Sequence, residues 1–250
     1  MLLKLPPPEK IREDKGFRGF TLAEVLVTLG IIGVVSAMTV PSLMQNHQRK
    51  TYVTQLHKVY NELQQAFVQV ITENNAIDLR EAGLGTQTNI KRFLQNHFKV
   101  VQIEELDLSK LPWGNVNYKN INGTNYAYTG DWSCGACATI ASGAQICIDN
   151  VNCYTYSYGG YSSNYGYIFV DVNGKKGPNI IGRDVFFMTY WNDGMIDLPK
   201  VSPACRTQGI CDGSSIKDIR ESGTACEAST YYTHQQCFGK LLNNNWEMTY

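Results

Sequence analysis

Gly19-Phe20-Thr21-Leu22-Ala23-Glu24 leads into the apolar run Val25-Leu26-Val27-Thr28-Leu29-Gly30-Ile31-Ile32-Gly33-Val34-Val35-Ser36-Ala37-Met38-Thr39-Val40, which stops at Pro41. Phe20 to Val40 is 21 residues, and Glu24 is the only charged one. At about 1.5 Å per residue such a helix covers roughly 30 Å, the thickness of a bilayer's hydrocarbon core. The stretch therefore reads as a helix able to span a membrane, with the bulk of the chain on one side of it.

Upstream, residues 1–19 carry five basic side chains (Lys4, Lys10, Arg12, Lys15, Arg18) against three acids (Glu9, Glu13, Asp14). Basic residues flanking an apolar span stay on the cytoplasmic side, so the N-terminus is expected inside and the remainder exported. A secretory signal would place a small-residue cleavage site after the apolar run. Here Ser36 and Ala37 are followed by Met38, Thr39, Val40 and Pro41, so the run is expected to be kept.

Downstream, Tyr52, Val53, Leu56, Val59, Tyr60, Leu63, Phe67, Val70 and Ile71 recur at three- and four-residue steps, with Gln55, Lys58, Asn61, Glu62, Gln65 and Gln69 between them. This is an amphipathic helix. One long helix is expected from Phe20 to about Glu73, bent near Pro41, where a ring replaces a backbone donor, and ending at Asn74-Asn75. Gly30 and Gly33 either loosen the middle of the span or permit close helix packing.

Lys15-Gly16-Phe17-Arg18-Gly19-Phe20-Thr21-Leu22-Ala23-Glu24-Val25-Leu26, with the Gly/Ile/Val run and Pro41, resembles the N-terminal signature of type IV pilins and type II secretion pseudopilins over about Lys15 to Asn75. The resemblance implies cleavage after Gly19 by a prepilin peptidase on the cytoplasmic face and N-methylation of the new terminal Phe20. It implies contacts with other pilin subunits and, indirectly, with an inner-membrane platform and assembly ATPase. The expected location is the bacterial inner membrane as a single-pass protein, then a periplasmic or cell-surface filament. An ionised carboxylate in an apolar span costs several kcal/mol, which makes Glu24 a functional candidate. The resemblance pairs it with the amine of a neighbouring subunit. The plainer alternative has Glu24 at headgroup level, reaching water.

Beyond the helix, Asn89 to Phe98 reads as a short helix and Leu106 to Trp113 as a loop. Ala138 to Asp149, Tyr165 to Val172, Asp184 to Trp191 and Met195 to Leu198 read as strands, with Asn173-Gly174 and Asp193-Gly194 as hairpin turn pairs. The fold class is α+β: a long helix whose second half lies on an antiparallel sheet. The segments are a removable leader at 1–19, the long helix at 20–74, membrane-spanning over 20–40, and an exported globular domain at 75–250. Tyr154, Tyr156 and Tyr158 alternate, so they share one strand face, either a contact face or a covered one.

All eight cysteines (Cys134, Cys137, Cys147, Cys153, Cys205, Cys211, Cys226, Cys237) follow the apolar run. On the exported side they read as disulfides, about two within each group of four, with connectivity open. Cys134-Gly135-Ala136-Cys137 has the spacing of a zinc or redox pair, but no second such pair and no preceding βαβ pattern accompanies it. Asp171, Asn173 and Asp184 could supply oxygens to calcium, which the pseudopilin resemblance raises. Lys175 stands where a helix-loop-helix calcium loop needs a third oxygen, and the favoured reading has Asp171 and Asn173 bonding turn amides. His47, His57, His97 and His234 have no ligand spacing and read as surface or packing residues. No cofactor is expected.

Net charge is zero; without residues 1–19 the balance is 17 basic against 19 acidic, which shows no overall surplus for binding nucleic acid. The function expected is a non-enzymatic filament subunit. The alternatives are a minor tip adhesin or DNA-uptake pilin of the same machinery and, from another class, an anchored thiol oxidoreductase using Cys134 and Cys137.

Overall fold

The computed structural model describes residues 19–105, 117–126, 134–222, 226 and 236–250. The chain divides into two compact units, one ending at Asn46 and the other His47–Tyr250.

Helix α1 runs over Leu22–Glu73 and its helical assignment continues through Pro41. Its start is chemically defined. Thr21 Oγ1 accepts from the Glu24 amide at 3.2 Å, while Glu24 Oε2 accepts from the Thr21 amide at 2.8 Å, the reciprocal pairing of a capping box. Its end is equally definite: Asn75 takes a positive φ of 48°, and the Ala76 amide donates to Ile71 O at 3.0 Å, closing the last carbonyls as the Asn pair predicts.

In the unit beginning at His47, α1 buries Val53, Leu56, Val59, Leu63, Ala66, Phe67 and Val70, the stripe expected from the 3.6-residue period. A second helix, α2 (Gln87–His97), is N-capped by Thr86 and buries Ile90, Phe93 and Leu94 beside it. The Phe67 ring stacks between Phe93 (5.3 Å between centroids) and Tyr190 (4.7 Å).

Both helices contribute to a core shared with an antiparallel sheet whose strands are β1 (Val100–Glu105), β2 (Gly135–Ile140), β3 (Gln145–Asp149), β4 (Tyr154–Tyr158), β5 (Tyr161–Asp171), β6 (Val185–Trp191) and β7 (Ile196–Asp197). The order is β1-β2-β3-β5-β6-β7, with β4 paired to the first half of β5. Ile146, Ile148, Ile168, Val170, Phe186, Met188 and Tyr190 join the helix stripe in the main core. Alternate residues Cys137, Cys147, Phe169, Val185 and Phe187 form a second core on the opposite face, under Tyr118 and Ile181. Because both faces are covered, β3 and β6 are buried along their whole length.

Two expectations are corrected. Residues 138–149 are not one strand: Gly143, at φ +88°, turns the chain so that β2 and β3 form a hairpin with Cys137 opposite Cys147. Asn173-Gly174 is not a two-residue hairpin turn, because Gly174 opens a 3-10 turn (Gly174–Lys176) within the longer connection 172–184. Asp193-Gly194 does turn β6 into β7, and Gln64 of α1 clamps that turn by donating to Gly194 O (2.6 Å) and accepting from the Ile196 amide (3.2 Å). The expected loop 106–113 lies outside the described residues.

Past Lys200 the chain forms short helices α3 (Pro203–Gln208), α4 (Ile216–Glu221) and α5 (Gln236–Asn243), with a small two-stranded sheet of β8 (Ile210–Cys211) and β9 (Ser214–Ser215). Arg220 pairs with Asp197 through two guanidinium nitrogens, and Arg206 with Asp193, tying this region to β7 and its turn. Trp246 stacks on His57 at 4.1 Å and meets Tyr60 edge-on at 5.0 Å, which places the last residues of the chain against α1.

Candidate functional site

The N-terminal unit is where sequence and geometry concentrate. Gly19, Phe20 and Thr21 precede the helix in non-helical conformation and are exposed, so the Gly19–Phe20 peptide is accessible. Every residue from Gly19 to Gln48 is exposed, Phe20 by 87% and Leu22 by 77%. Thr28 and Thr39 turn their hydroxyls back onto helix carbonyls (Thr28 Oγ1 to Glu24 O and Thr39 Oγ1 to Val35 O, both 2.9 Å), so the run offers few unsatisfied polar groups to an apolar surrounding. Gly30 and Gly33 have open space where a side chain would stand, leaving small-residue notches on the helix surface.

Glu24 has a local role that the sequence pattern Thr21-x-x-Glu24 could have revealed. Its Oε2 accepts from both the amide and the hydroxyl of Thr21, at 2.8 and 2.9 Å, satisfying the first turn of the helix within one chain. The carboxylate is thus oriented toward the helix's N-terminal end, next to Phe20.

The sequence of this stretch has a counterpart among known proteins. Residues 14–40 match the model of the prokaryotic N-terminal methylation motif. The chain carries this N-terminal methylation motif. A protein of Escherichia coli (strain K12) described as prepilin peptidase-dependent protein D is similar at 27% identity over 115 residues, which spans 46% of this chain and 73% of that protein. No solved structure matches the chain. The methylation motif overlaps the start of the one described helix that is long and apolar enough to cross a membrane. The coarse reading as a pilin- or pseudopilin-like subunit rests on these findings together.

The eight cysteines are all paired: Cys134 with Cys153, Cys137 with Cys147, Cys205 with Cys211 and Cys226 with Cys237, at Cα separations of 6.1, 4.0, 5.0 and 4.7 Å. Each group of four holds two bridges, as the spacing suggests. Cys134 and Cys137 belong to different bridges, and Cys137 sits mid-strand opposite its partner rather than at a helix N-terminus. That geometry lacks the Cys-x-x-Cys ring on which the thiol-exchange alternative depends.

Asp171, Asn173 and Asp184 are brought together at the ends of the connection 172–184. Asp184 accepts from the amides of Asn179 (2.8 Å) and Ile180 (2.7 Å). Asp171 accepts from the Asn173 amide (3.2 Å) and from the Tyr118 hydroxyl (3.4 Å), while Asn173 Nδ2 donates to Gly177 O (2.7 Å). Asp171 thus bonds a turn amide as read from the sequence, whereas Asn173 uses its side chain on a carbonyl. Burial, and next the Asp184 charge, push the Asp171 carboxyl up to about 8. Burial likewise raises Asp184. Among the described residues no group of three or more His, Cys, Asp or Glu side chains gathers elsewhere or here. His57 packs on Trp246 and His97 on Phe93, His47 is exposed, and His234 lies outside the described residues.

The three alternating tyrosines do share a face of β4, half-buried. Tyr154 stacks on Tyr165 at 5.3 Å, and Tyr156 meets Trp191 at 6.0 Å while donating its hydroxyl to Asp212 at 2.8 Å. Most of this face is engaged within the chain; Tyr161, exposed by 64%, stands clear at the β4–β5 turn.

Proposed function

We propose that the chain is a non-enzymatic structural subunit of a type IV pilus-like or type II secretion pseudopilus filament. A prepilin peptidase cleaves it after Gly19 and Phe20 is N-methylated. The helix beginning at Leu22 then carries it into a filament with other pilin subunits, supplied by an inner-membrane platform and assembly ATPase. Before assembly it spans the bacterial inner membrane once, with residues 1–19 cytoplasmic.

The observation that carries this reading is the accessible Gly19–Phe20 peptide at the head of an apolar helix with no partner for its surface within the described residues. Burying that surface against neighbouring helices supplies the cohesion, at about 25 cal/mol per Å² of apolar area. Glu24 sets register: its carboxylate, held by Thr21 in the single chain, exchanges that bond for the amine of Phe20 on the next subunit. A bend near Pro41 lets the helix adapt to its neighbours.

Intact-mass and N-terminal peptide analysis of protein recovered from cells tests the reading, together with a Glu24→Val variant. A mature chain beginning at methylated Phe20, with the variant cleaved but absent from sheared filaments, is expected. A chain retaining residues 1–19 would overturn it. A minor subunit of the same machinery is the second reading, favoured by the extra disulfide-bonded region beyond the sheet.

A further inference from the structure

The end of the sheet that holds the connection 172–184 collects cations from three separate segments. Lys119 is drawn in by paired backbone bonds, its amide donating to Asn179 O and its carbonyl accepting from Ile181, both at 2.9 Å. Gly174 lies against the β2–β3 turn, where a Cβ would come within 2.7 Å of Gly143 O, and this places Lys175 and Lys176 at the turn's flank. Ala141 of that turn donates to Lys99 O at 2.8 Å.

Lys99, Lys119, Lys175 and Lys176 are exposed and Arg183 is half-exposed. None of the five makes an ion pair among the described residues. The only acids within residues 99–103, 117–126, 141–145 and 171–184 are Asp171 and Asp184, both fully buried. A chain with a slight acidic surplus beyond residue 19 has therefore set five cations, without an acidic partner among the described residues, at one end of the sheet.

The tether to the apolar segment identifies the anion. His47, where the chain enters this unit, follows Val40 after only Pro41 to Asn46. Fully extended, that stretch spans at most about 25 Å. However the unit turns on this tether, it stays beside an anionic surface at the end of the apolar segment.

We propose that this end of the exported unit binds anionic phospholipid headgroups of the membrane that the apolar segment enters, holding the subunit against the bilayer before assembly. The proposal rests on the membrane-inserted reading above. Five cations without an acidic partner among the described residues form a polybasic patch of the kind that headgroup phosphates attract, and the attraction weakens with salt.

The test uses the full chain reconstituted in vesicles of phosphatidylcholine alone or mixed with phosphatidylglycerol. An impermeant amine-modifying reagent is added and each lysine is read by peptide mass spectrometry, with exposed Lys200 and Lys217 as internal controls. Modification of Lys99, Lys119, Lys175 and Lys176 relative to the controls is expected to fall roughly threefold or more in the anionic vesicles and to recover in high salt. The double variant Lys175→Glu/Lys176→Glu, changing two exposed side chains, should abolish the protection at Lys119. Equal modification in the two lipids overturns the proposal. Protection by a short DNA duplex exceeding that by phosphatidylglycerol would also overturn it and assign the patch to nucleic acid. A chain that alkaline carbonate strips from both vesicles would remove the membrane-inserted reading itself, an outcome distinct from an inserted chain with unprotected lysines.

Discussion

Asp171 shows how a residue's role depends on its surroundings. In the unfolded chain its carboxyl ionises near pH 4, about the usual value. In the folded chain burial and the Asp184 charge push it up to about 8, so the native state keeps a proton that the unfolded chain has lost. Stability from this source is complete below about pH 4 and declines as pH rises toward 8, by on the order of a few kcal/mol. Asp171→Asn, which fixes the neutral form, should flatten that decline. Thermal unfolding measured from pH 5 to pH 8 for both proteins checks this, and parallel profiles would exclude Asp171 as the titrating group. Asp184 and Tyr118 are among the titratable groups near it, and burial raises both in the same direction. Glu24 is the contrasting case. Its place in a Thr-x-x-Glu box was readable from two letters, because capping is a contact between residues three apart.

Among the elements, α1 was the most legible and the connection 172–184 the least. The stripe Val53, Leu56, Val59, Leu63, Phe67, Val70 follows from helix geometry, which neighbouring elements do not alter. The β2–β3 hairpin was concealed because Ala141-Ser142-Gly143-Ala144 lacks the paired Asn-Gly signal, and its register depends on strands far along the chain. In the same way Gly174 reads as a hairpin glycine, whereas the connection it opens runs on to Asp184, ten residues later, which accepts from the amides of Asn179 and Ile180. Gln64, a polar residue on the half-buried side of α1, gave no sequence signal at all, yet it bonds Gly194 O and the Ile196 amide at the β6–β7 turn. Gln64→Ala should cost about 1–3 kcal/mol, because Gly194 O and the Ile196 amide lose their partner. Chemical denaturation of the variant measures that cost. Leu63→Ala, at a fully buried position of the same helix, should cost about 2–5 kcal/mol.

For the whole molecule, the cysteines give the clearest expectation. Under denaturing, non-reducing conditions no thiol should react, and peptide mapping should recover the links 134–153, 137–147, 205–211 and 226–237. A reactive Cys134 or Cys137 would revive the thiol-exchange alternative. Removing the cross-strand pair as Cys137→Ala/Cys147→Ala should lower stability by about 2–4 kcal/mol while leaving the other three links intact. The apolar run, the helix stripe and the division of cysteines into two groups were all legible in the chain, since each depends on residue type and spacing over a few turns. Which cysteines pair, which face of the sheet receives a second core and which lysines share one end became visible only in three dimensions. Those features arise between segments tens of residues apart, and such neighbours are chosen by strand order and by the burial of both sheet faces, which no local period encodes.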